Sequence, residues 1–195
     1  DAERPVRADT LQWTLDGRGV DPSTLRASAT VASGPLQVDR FELSGGRLEG
    51  RLRSGILQLD TLSVRSNAVD AAGRGQVAFA DTTVRSDFDL VVAVADARPL
   101  ERLIGLQQFR LTRGRAELHV YGPPGTLRFN GTSTIRRLRS GDLRLSNLDL
   151  RFNGAGSLQT GIQQADLRGT LGLFSSPAVV AEDTEVTIGY TPDEI

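Results

Sequence analysis

Apolar and polar residues alternate with a period of two along most of this chain. Val84, Ser86, Phe88, Leu90, Val92 and Val94 share one side, and Arg85, Asp87, Asp89 and Val91 open the other. Alternation sends successive side chains to opposite faces of a strand. One apolar and one wet face mark an antiparallel sheet. Ala116–Val120, Thr126–Phe129, Asp166–Leu173 and Glu185–Tyr190 alternate likewise. Gly-rich clusters (SGG at 44–46, AAGRG at 71–75, GPPG at 122–125, FNGAG at 152–156) are expected to separate strands as turns or bulges. Gly accepts positive φ, and Asn and Asp hydrogen-bond locally. One short helix is predicted near 97–105. Asp96 would cap it, Pro99 suits its first turn, Leu100, Leu103 and Ile104 share a face, and Gly105 would stop it. The class is all-β.

An eight-residue shape recurs: LQVDRFEL at 36–43, LQLDTLSV at 57–64 and LRLSNLDL at 143–150. Each places two polar residues between two alternating apolar pairs. Strict alternation would throw the second pair to the opposite face. A β-bulge restores it. Bulges are therefore expected at Asp39-Arg40, Asp60-Thr61 and Ser146-Asn147. Bulges bend strands, so the pattern predicts a curved, mostly antiparallel sheet with a repeated plan.

The 195 residues contain no Met and no Cys. The chain reads as a single β-groove segment, 1–195, excised from a longer repeat protein. Without Cys there is no disulfide framework or thiolate metal site. No apolar run approaches the roughly 18 residues of a membrane span, and no signal peptide opens the chain. Net charge is −1, so no global field draws nucleic acid, and none is expected as a partner. All 23 basic residues are Arg. Arg136, Arg137 and Arg139 cluster; phosphate contact and a solvated strand edge both fit them. Aromatic residues make up only 5%, and Trp13 is the single tryptophan. The interior must be filled by Leu, Val and Ala, or stay partly unfilled.

Asp21–Ala27, the octets, Gly73–Val77 opening a long alternating strand, and Ala95–Leu100 ending it form a rhythm with Gly114–Leu118 and Val120-Tyr121-Gly122. Over about residues 20–190 this resembles the repeat region of AsmA-like and TamB proteins of Gram-negative bacteria. The resemblance implies a curved sheet rolled into an open apolar groove of the β-taco type. It implies a periplasmic protein anchored in the inner membrane and reaching towards the outer membrane. It implies phospholipid transport of the bridge-like lipid-transfer kind, or assembly of outer-membrane β-barrel proteins. The segment carries neither the membrane anchor nor a recognisable C-terminal partner-binding domain, so membrane association would come from other parts of the parent chain.

Catalytic constellations are missing. His119 stands alone in AELHVY, on the polar side of its strand, too little for a triad or a histidine-rich metal site. There is no Lys for a P-loop and no GxSxG elbow. Asp87 and Asp89 lie about 7 Å apart on one strand face, a spacing equally suited to a solvated surface. The expectation is no enzymatic activity, no cofactor and no metal.

A bent sheet with one apolar face must cover that face with a second sheet, a closed barrel or a ligand. Phospholipid acyl chains suit it, at about 0.8 kcal/mol per buried CH₂ against water. The residues predicted to line the groove are Leu57, Leu59, Leu62, Val64, Val77, Phe79, Phe88, Leu90, Val92, Leu143, Leu145, Leu148, Leu150, Leu167, Leu171 and Leu173. Ordinary packing against another sheet is the competing role for them. The rival function is a scaffold whose open edges template strands of client barrels.

Overall fold

The computed structural model describes residues 6–19, 26–38, 40–79, 84–99, 109–157 and 160–191. They form one curved, unclosed antiparallel sheet. Its strands are β1 (Val6–Ala8), β2 (Leu11–Arg18), β3 (Arg26–Ser33), β4 (Leu36–Val38), β5 (Phe41–Arg53), β6 (Ile56–Ser66), β7 (Val69–Ala78), β8 (Ser86–Asp96), β9 (Phe109–Gly122), β10 (Leu127–Ser140), β11 (Leu143–Ser157), β12 (Gly161–Ser175) and β13 (Val180–Tyr190). From β5 onwards every strand pairs with the next in sequence. β3 and β4 both pair with β5, and they carry β2 and β1 on their outer sides. Each of those outer pairs is therefore one strand path, broken at Asp9-Thr10 and at Gly34-Pro35. Two hydrogen bonds bridge the break: Asp9 N donates to Pro35 O at 3.1 Å and Gly34 N to Thr10 O at 3.0 Å. The result is an eleven-ribbon meander, the topology with the shortest connections.

One of the expected bulges is present: in β6 the register shifts between Leu59 and Leu62, so that Asp60-Thr61 stand across from Glu49 on one side and Arg74 on the other. At the second site β11 kinks at Asn147, which has φ 53°, but register is kept on both sides, so it is not the two-against-one bulge expected. The octet at 36–43 is different and corrects the expectation: Val38 pairs with Phe41, so it is a hairpin. Asp39 itself lies outside the described residues. The glycine clusters divide between the two expected roles. GPPG is a connection, closed by Thr126 N donating to Pro123 O at 3.0 Å. The clusters at 44–46 and 152–156 lie inside β5 and β11 and coincide with register shifts at Leu43/Gly45 and Ala155/Gly156, while the cluster at 71–75 runs on inside β7.

The kink at Asn147 belongs to a line. Across β8 to β13 one residue per strand is skipped by the ladder: Ala95, Arg113, Arg136, Asn147, Gly172 and Asp183. Because all neighbours skip together, register is kept. Arg113 and Asp183 share the left-handed conformation of Asn147, at φ 56° and 48°. Along this crease the inward positions step by three instead of two: Leu111 to Gly114, Ile135 to Leu138, Leu145 to Leu148, Leu171 to Phe174. A single repeated irregularity thus bends the sheet without breaking its sidedness.

Of the predicted helix, Arg98 and Pro99 form its first turn, and residues 100–105 lie outside the described residues. Asp96 accepts a hydrogen bond from Arg98 N at 3.1 Å, as a cap should. The Arg98 side chain also holds the Asp96 carboxyl below its ordinary pKa.

Candidate functional site

Following the register across the sheet shows what one face presents. Trp13, Val31, Leu48, Leu62, Gly73, Leu90, Leu118, Gly131, Phe152, Leu167 and Ile188 are direct cross-strand partners in succession. This row crosses all eleven ribbons without a polar side chain. Leu15, Ala29, Gly50, Leu59, Gly75, Phe88, Val120, Phe129, Gly154, Ala165 and Tyr190 make the next row on that face. One residue between the two rows, the opposite face carries Arg74, Asp89, His119, Asn130, Asn153 and Asp166 as partners in succession. The apolar face is one continuous side of the unclosed sheet.

Little lies over that face. Among the described residues the buried apolar side chains are Ala68, Ala78, Leu127, Ala165 and Leu171. Total accessible surface is 13478 Å², against about 9,000 Å² for a compact monomer of this mass. The described residues form no second layer over it, so the apolar residues there stay half-buried by their own neighbours.

The predicted lining residues distribute as follows. Leu59, Leu62, Phe88, Leu90 and Leu167 sit in the two rows above. Val64, Val92 and Leu150 lie in the adjacent row, and Leu148 and Leu171 in the row that borders the crease. Leu57 and Val77 pair with each other at the far end. Leu145 and Leu143 lie beyond the crease, on the apolar side that the three-residue step keeps for them. Phe79 follows the end of β7 and is 49% exposed. Leu173 pairs with Ser146, and it is Phe174 that pairs with Leu145 in the apolar row. Alternation counted from Leu171 misassigns this strand because it ignores the crease at Gly172.

Sequence reasoning missed Leu48, Leu118, Phe129, Phe152, Trp13 and Ile188. A signal for two of them existed: Arg-Phe-Asn-Gly occurs at 128–131 and again at 151–154. The two copies pair with each other, Phe129 opposite Gly154 and Gly131 opposite Phe152. Each ring fills the space left by the facing glycine; a Cβ on Gly131 would strike the Phe152 ring and the Glu117 carbonyl oxygen.

On the polar face, His119 Nδ1 lies 2.8 Å from Asp89 Oδ1 and 3.8 Å from Asp87 Oδ1, and its ring stacks on Tyr121 at 5.2 Å. The three ligand atoms fall within 4.8 Å of one another. Both carboxylates are largely exposed, which suits a hydrated cross-strand pair. A hollow of about 690 Å³ lies among Thr132, Asp149, Arg151, Arg168 and Thr187, with Leu150 and Val186 also in its lining.

Comparison of the chain with protein-family models, with curated proteins and with solved structures finds no match.

Proposed function

We infer that this chain is a periplasmic segment of an AsmA/TamB-like protein that shields phospholipid acyl chains in its groove during transport between inner and outer membranes. The role is non-enzymatic. The observation that carries it is the unbroken apolar row from Trp13 to Ile188, over which the described residues place no second layer. Acyl chains cover such a surface with no demand for hydrogen bonds. Two long chains gain on the order of 20 kcal/mol there against water and almost nothing against a bilayer, which is equally apolar. A lipid can then enter, slide and leave. Native mass spectrometry after gentle purification from a lipid-containing host tests this. Phospholipid is expected to copurify, and to be lost when Leu145→Glu and Leu148→Glu are combined in a protein whose circular dichroism is unchanged. A lipid-free, well-folded wild type would refute it.

A second function, the templating of outer-membrane barrel strands, is favoured by a different observation. The outer sides of β2 and β13 pair with no described strand. Leu11, Trp13 and Leu15 on one edge are 65–70% exposed, and Val180 and Ile188 on the other are 66% and 51% exposed. Hydrogen exchange along β13 should slow when a barrel-protein client is added; unaltered exchange there and in β2 would exclude templating.

A further inference from the structure

The polar face carries a feature that the groove does not use. Arg139 on β10 stands directly opposite Arg110 on β9 and Arg144 on β11. Arg113 and Arg136 lie on the crease, with Arg137 beside it, and all six are exposed. Across residues 110–115 and 135–147 the one acid is Asp142, in the hairpin turn. None of the six makes an ion pair with a described residue. Arg136 reaches Asn147 Oδ1 at 3.4 Å, and Arg139 Nε donates to the Gly141 carbonyl at 3.1 Å. Like charges directly opposite on adjacent strands are destabilising. A second arginine row, Arg18, Arg26 and Arg53, lies at the opposite end of the strands. There Asp16 is two residues from Arg18 on the same strand, and neighbouring Arg51 is bound to Asp60 at 3.0 Å.

The row without internal counter-charge is complemented from outside. Guanidinium groups bind phosphate oxygens in bidentate fashion. With strands about 4.8 Å apart, the row spreads its charge over roughly 10 Å, broader than one phosphate and matched to a layer of them. The reverse face of the same strands carries Leu111, Leu138, Leu145 and Phe174 as one apolar row. Charge and apolar surface meet at a single sheet end, as they do at a bilayer boundary. No aromatic residue stands among the arginines to stack a nucleobase. We propose that this end of the sheet, centred on Arg110, Arg139 and Arg144, docks on an anionic phospholipid surface through the headgroup phosphates. The docking stands whether or not the groove carries acyl chains.

Co-sedimentation of the chain with vesicles of phosphatidylcholine, alone and mixed with phosphatidylglycerol, tests it. Binding is expected to the mixed vesicles only, and to fall with added salt. Each arginine at an anionic surface is worth about a five-fold change in partitioning, so Arg139→Gln with Arg144→Gln lowers it about 25-fold. Arg18→Gln with Arg26→Gln changes net charge equally and should leave binding unchanged. Glutamine relieves like-charge contacts in both variants, and circular dichroism checks that they fold. Equal binding to neutral vesicles overturns the proposal, as does equal loss in the two variants. So does release from mixed vesicles by inorganic phosphate or by duplex DNA at concentrations near that of the protein. The salt dependence of the wild type decides independently of either variant.

Discussion

Glycine and phenylalanine act as one unit in this sheet. Phe129 and Phe152 each need a facing position with no side chain, and Gly154 and Gly131 supply it. Gly131→Ala is expected to destabilise the fold by roughly 1–3 kcal/mol, the cost of overpacking a filled site, measured by urea unfolding. Adding Phe152→Leu should recover part of that loss, because the ring is one of two obstacles and the Glu117 carbonyl is the other. The twin Arg-Phe-Asn-Gly was visible in the sequence, but its meaning was not: a glycine beside an aromatic in sequence signals a turn or bulge just as well as a cross-strand partner. Only the register distinguishes them.

Local patterning was legible wherever it depended on one strand, and ambiguous wherever it depended on two. The octet at 57–64 is a bulged strand and the octet at 36–43 is a hairpin, although both place two polar residues between apolar pairs. Strand partners, not local preference, decide between them. The all-β class and the sidedness of the sheet followed from alternation alone. The crease did not, because left-handed Arg113 carries no sequence mark of that conformation, although Asp183, like Asn147, belongs to a residue type that visits it. Asparagine tolerates it best of the non-glycine residues. Asn147→Val should therefore cost roughly 1–2 kcal/mol, whereas Asn147→Gly should be neutral or slightly stabilising. Thermal unfolding of the two variants checks this. If both behave alike, the backbone there relaxes freely and the crease is not set by this residue.

At the scale of the molecule, the unusual quantity is surface. Among the described residues an apolar face of eleven ribbons stays open where a compact domain would fold a second layer upon it. Trp13 reports on that face, being the one tryptophan, 70% exposed and first in the apolar row. Its fluorescence should resemble that of an indole in water and move to shorter wavelength when long-chain phospholipid is added. A headgroup analogue without acyl chains should leave it unmoved. Emission that ignores both would mean that ligand does not reach β2. The crease has a consequence for how such a molecule could arise. Its left-handed residues fall in β9, β11 and β13, while β10 and β12 pass through with ordinary φ. The bend is therefore written once per hairpin. Duplicating or deleting one hairpin in this stretch preserves chain direction, crease and both faces, and changes length by about 10 Å. Evolution can adjust the span of the groove by gene duplication in whole hairpins, with no new fold to discover at any step.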